Sequence, residues 1–177
     1  MNTDLEKILK TWKKQYSKYR RGYDGGIWDN LDNHPLDLLF DELAQMYHRH
    51  TSAQDRDVFS RLFSSGLFRT PSVETWDCVL YTRRLALRLE KRRQIDLLSL
   101  GIEMISLLWK KHDDVRDSIL TVYFLTLHAK RAGVDMKSYL ETNWAGTDND
   151  VKNAFYEAVC KSDNELEQSY RWIKPPE

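Results

Sequence analysis

The chain has 177 residues, 41% hydrophobic and 31% charged, and its 27 basic and 27 acidic side chains cancel to a formal net charge of zero. That length suits one compact domain, able to bury a core without disulfide or metal staples. The composition is that of an ordinary globular protein, and the cancelled charge argues against broad electrostatic capture of nucleic acid, which needs a basic surplus.

Thr3 and Glu6 open the first segment with capping-box spacing. Leu5, Ile8, Leu9, Trp12, Tyr16 and Tyr19 then share one stripe at helical period, while Lys7, Lys10, Lys14 and Lys18 face away. Residues 24–37 read DGGIWDNLDNHPLD, with two adjacent glycines, a tryptophan, four aspartates and no Lys or Arg. Gly25 and Gly26 permit positive φ there and Asn30 and Asn33 favour turns. Ile27 and Trp28 can anchor such a loop to the core, and Trp28 can equally meet a partner. The run lacks the alternating acidic pattern of a calcium loop.

Pro35 or Leu36 starts a second helix, with Leu36, Leu39, Phe40, Leu43 and Tyr47 on one face. Thr51 or Ser52 caps a third, burying Val58, Phe59, Leu62 and Phe63 before Gly66 stops it. A longer helix starts at Thr70-Pro71 and runs through Val73, Trp76, Val79, Leu80 and Leu87 to about Lys91. The next, about Gln94 to Lys110, is apolar nearly all round, which predicts a central position. Asp114 caps a helix from Val115 to Ala132, closed by Gly133, and Asp135 caps a short one ending near Gly146. Asn149 or Asp150 caps another through Phe155 and Val159, and the polar ELEQSYRWIKPPE tail adds a final turn or two.

No segment alternates as a strand does. The expectation is an all-α protein of eight or nine helices packed as antiparallel αα-hairpins, in an irregular bundle or a HEAT-like stack. A strict repeat of about 30 to 45 residues is not visible. Residues 1–177 form one domain in this reading: 1–23 an amphipathic helix, 24–35 an acidic Gly/Asn loop, 36–165 the helical core and 166–177 a polar tail.

Local chemistry is sparse. Cys78 and Cys160 lie far apart, match no ligand spacing and read as two buried thiols in a reducing compartment. The N-terminus lacks the apolar run of a signal peptide, and the most apolar stretch, residues 95–109, holds Asp96 and Glu103 and is too short to span a bilayer. These features predict a cytoplasmic protein with no membrane span. His48 and His50 stand two apart on a helix end, so their rings diverge and cannot share an ion. His112-Asp113 sits in a turn beside the Asp114 cap, not within a helix as an HD phosphohydrolase requires. There is no G-x-S-x-G and no Gly-rich phosphate loop, and His128 reads as a satisfied core histidine. No cofactor or metal is expected.

Charge placement says more. Asp24, Asp29, Asp32, Asp37, Asp41 and Glu42 form an acidic run, set against a basic run from Arg83 to Arg93. Within the latter, Arg84, Arg88, Lys91 and Arg92 share one helical face, and the lysines of the first helix make a second basic face. Such faces either solvate and pair with each other or steer a charged partner.

From Ile95 onward, the stretch LGIEMISLLWKKHDDVRDSILTVYFLTLHAKRAGVDMKSYL resembles helical domains of small uncharacterised bacterial proteins. The D-x-R-D turn at Asp114 to Asp117 and the A-x-x-x-G-V-D run at Ala129 to Asp135 carry the likeness, over about a quarter of the chain. The profile is also similar to immunity proteins of bacterial toxin systems, which implies a helical fold without catalytic residues. The combined expectation is a non-enzymatic module that binds a charged protein partner through Trp28, Asp29 and Asp32 on the loop and Arg84, Arg88 and Arg92 on the basic helix. An enzyme holding a phosphorylated small molecule with Arg84 and Arg88 is the alternative. Nucleic-acid contact through the lysine face ranks below both.

Overall fold

The computed structural model describes residues 3–21, 35–62, 82, 85–111, 115–144 and 149–169. All regular structure among them is helical: α1 (Thr3–Arg21), α2 (Pro35–Arg49), α3 (Ala53–Leu62), α4 (85–92), α5 (Leu97–Lys111), α6 (Val115–Arg131), α7 (Met136–Asn143), α8 (Asn149–Cys160) and α9 (Asp163–Ser169). The all-α expectation holds. The chain divides into two compact units, Met1–Thr75 and Trp76–Glu177.

In the first unit α1 packs against both α2 and α3. Leu5, Leu9, Trp12 and Tyr16 are buried, spaced so that each lies one turn from the next. Ile8 and Tyr19, expected on the same stripe, are 46% and 40% exposed. The buried stripe is therefore narrower than the apolar pattern. Trp12 stacks on Tyr16, their ring centroids 5.5 Å apart, and meets Phe40 edge-on at 5.4 Å. Its indole N–H donates to the Leu39 carbonyl at 2.5 Å, which satisfies the one polar atom that burying a tryptophan puts at risk. Ser52 is the residue that caps α3, its hydroxyl accepting from the Asp55 N–H at 3.1 Å. Tyr47 meets Phe59 edge-on at 5.0 Å and carries the Arg56 guanidinium over its ring at 3.5 Å.

In the second unit α6 packs against α5, α7, α8 and α9. The helix expected to be central, α5, is indeed buried almost all round from Leu97 to Ser106. It starts at Leu97, not near Gln94, because residues 95–96 form a turn in which the Leu97 N–H donates back to the Gln94 carbonyl. Gly101 lets α5 approach its neighbours closely, since a Cβ there would lie 3.2 Å from a Leu125 methyl and 3.3 Å from a Leu85 methyl. The more polar α6 is equally enclosed, with Ser118, Thr121, Thr126 and His128 buried beside Leu125 and Leu127. Leu87, by contrast, is 46% exposed although its spacing placed it in the core.

The ends of the helices follow local chemistry. Gly133 takes φ +85° after α6, the Val134 N–H reaches the Ala129 carbonyl and the Gly133 N–H the Lys130 carbonyl, the paired bonds of a Schellman close. Asp135 accepts from the Ser138 N–H at 3.1 Å to start α7. The tail expected to begin at residue 166 is helical at its start: α9 spans Asp163–Ser169 and Leu166 is fully buried. Lys130 and Arg131 tie the end of α6 to that segment through Asp163 at 3.0 Å and Glu167 at 3.3 Å.

Candidate interaction surface

The partner contacts expected from the sequence fall on two segments, residues 28–32 and 84–92. Trp28, Asp29, Asp32 and Arg84 lie outside the described residues, as do Cys78 and the His112-Asp113 pair. Arg88 is only 5% exposed, so the basic face of α4 is not open as its spacing suggests. Arg92 and Lys91, at the end of the same helix, are exposed. The long apolar stem of an arginine tolerates burial of this kind.

Other expectations shift too. Cys160, expected buried, is a free exposed thiol at the end of α8. His50 Nδ1 lies 3.5 Å from Asp55 Oδ2, brought there by the turn into α3. Among the described residues, no three His, Cys, Asp or Glu side chains come together to hold a metal ion. His128 is buried and hydrogen-bonded, as expected, its Nδ1 meeting Glu90 Oε2. A carboxylate can only accept, so Nδ1 carries the hydrogen. Burial pulls the His128 pKa below its ordinary value of 6.5, and the Glu90 contact opposes that shift only in part. The pair is a satisfied core contact.

A strongly charged open surface among the described residues is on α1. That helix carries seven basic residues against two acidic ones. Lys7, Lys10, Lys14 and Lys18 are all exposed, at intervals that keep them within one narrow arc opposite the Leu5–Trp12 stripe. Among the described residues none of the four has an ion-pair partner, whereas Arg61, Lys130 and Arg131 each have one. The amphipathic period itself causes this arrangement. Burying one stripe against α2 and α3 forces the opposite arc into water, and in this sequence that arc is lysine.

Beside the row, where α1 faces α3, lies an open groove of about 290 Å³ lined by Glu6, Leu9, Lys10, Lys13, Val58, Arg61 and Leu62. Arg61 spans part of it, bonded to Glu6 at 3.0 Å and to Asp57 at 3.2 Å. The lysines are legible in the sequence but the groove is not, because Arg61 and Leu62 lie at least 40 residues beyond α1 in the chain. No local pattern announces such a pairing. Comparison with family models, curated proteins and solved structures found no match for this chain.

Proposed function

We propose that the protein is a non-enzymatic binding module of the bacterial cytoplasm, an immunity or adaptor protein, that recognises an acidic face on a protein partner. The unpaired lysine row of α1 carries this reading. A face of one sign, held on a helix that is itself anchored by buried Leu5, Leu9 and Trp12, offers charges in a fixed array without an ordering cost at each encounter. The zero net charge of the chain is consistent with selective recognition by that face in preference to general attraction to polyanions. The loop residues Trp28, Asp29 and Asp32 and the basic residues Arg84 and Arg92 remain proposed contacts with a charged partner, the two aspartates with basic groups beside the acidic face; Arg88, being buried, is a poor one.

The test is affinity capture from a lysate of the source organism with wild type and a Lys7→Glu, Lys10→Glu, Lys14→Glu, Lys18→Glu variant, both checked for an unchanged helical spectrum and thermal midpoint. A stoichiometric protein kept by wild type, released by salt and lost from the folded variant is the expected result. Capture of the same proteins by both would sink the lysine face. A bound small metabolite on both, with no protein partner, would turn the reading towards an enzyme.

A further inference from the structure

The groove between α1 and α3 is more specific than the row beside it. Glu6, Lys10 and Lys13 stand at i, i+4 and i+7, one ridge of α1, and face Val58, Arg61 and Leu62 of α3. Their charges are not equivalent. Arg61 is already engaged by Glu6 and by Asp57, so Glu6 is neutralised within the groove. Lys10 and Lys13 have no ion-pair partner among the described residues and supply its excess positive charge. Lys13 is half-buried, so a carboxylate reaching it is screened less than at an open surface. Between the charges the floor is aliphatic: Leu9 and Val58 are nearly covered and Leu62 is half-buried.

Resting on the lysine-face reading above, we propose that this groove seats a short acidic segment of the partner protein. One apolar side chain of that segment lies against Leu62, and flanking carboxylates meet Lys10 and Lys13. A volume of about 290 Å³ takes one or two side chains and sits at the lower edge of the range for small-molecule pockets. Two other polyanions fit less well. Among the described residues the lining includes no aromatic ring on which a nucleobase could stack. A lipid surface asks a helix for a free apolar face, and most of that of α1 is taken by the core, with Leu5 and Trp12 no more than 2% exposed and Ile8 and Tyr19 left partly open.

Selection from a library of displayed random peptides on the full chain, followed by fluorescence anisotropy of the enriched peptides, tests the proposal. The expected peptides carry several Asp or Glu around one aliphatic or aromatic residue. Their affinity falls about tenfold or more with Lys10→Glu, Lys13→Glu and changes less than about threefold with Lys14→Glu, Lys18→Glu, at unchanged thermal midpoint. Replacing the peptide's apolar residue by serine weakens binding without touching the fold of the protein. Acidic peptides lost with Lys14→Glu, Lys18→Glu but kept by Lys10→Glu, Lys13→Glu would overturn the groove and leave the lysine face standing. No enriched peptide, peptides without acidic residues, or tighter binding of a single-stranded oligonucleotide or phosphatidylserine vesicles would overturn both.

Discussion

At Gly133 the backbone conformation alone sets the cost of substitution. A Cβ there would meet nothing within 4 Å, yet φ is +85°, a region that side chains with a Cβ enter at a penalty. Gly133→Ala is expected to destabilise the chain by about 1 kcal/mol, read as a lower denaturant midpoint at unchanged slope. His128 shows burial acting through charge. Its folded-state pKa lies below the ordinary 6.5, so the unfolded chain binds the proton more readily than the folded one. The stability this residue contributes is therefore complete above about pH 6.5 and is lost as pH falls through the lower, folded-state value. The thermal midpoint of wild type should drop between about pH 7.5 and pH 5 by more than that of His128→Leu. Equal drops would assign the effect to other groups.

Two elements end or begin on single residues that decide their stability. Helix α4 gives way to Arg93 at φ +53°, a left-handed conformation that usually belongs to glycine at this position. Arg93→Gly is expected to stabilise by about 0.5 to 1 kcal/mol, raising the thermal midpoint, because the strain outweighs the extra freedom glycine gains on unfolding. At α9 the case is reversed. Seven residues cannot hold a helix by propensity, and Ser162 with Glu165 supplies a reciprocal cap: the Ser162 N–H donates to Glu165 Oε2 at 2.7 Å and the Glu165 N–H to Ser162 Oγ at 3.3 Å. The Ser162 hydroxyl, which donates to Glu165 Oε2 at 2.7 Å, and the Ser162 N–H hold the Glu165 carboxyl below its usual range. Ser162→Ala should speed amide hydrogen exchange across residues 163–169 while leaving α6 protected.

At the scale of the whole molecule, charge balance governs behaviour more than any single contact. With equal basic and acidic counts and a sequence pI near 7.0, the chain carries least charge near neutrality. Its solubility is expected to pass through a minimum around pH 7 and rise on either side, which a precipitation series at constant ionic strength would measure. The balance is global and not local, for α1 concentrates cations that acids elsewhere in the chain offset. Among the described residues no helix is long and apolar enough to cross a membrane.

The sequence by itself determined where most helices run and how several end. The period of Leu5, Leu9 and Trp12, the Gly133 close and the Asp135 cap all rest on interactions within a turn or two, and those are written in adjacent residues. It also located the lysine row, since a buried stripe dictates the arc opposite to it. Only the tertiary structure decided what burial does elsewhere. It covered Arg88 and left Leu87 in water, enclosed the threonines of α6 as fully as the leucines of α5, and exposed Cys160. It also brought Arg61 and Leu62 beside Lys10 and Lys13, and so made the groove. Burial depends on which surfaces arrive from distant parts of the chain, and hydrophobic pattern records only what a segment can offer them.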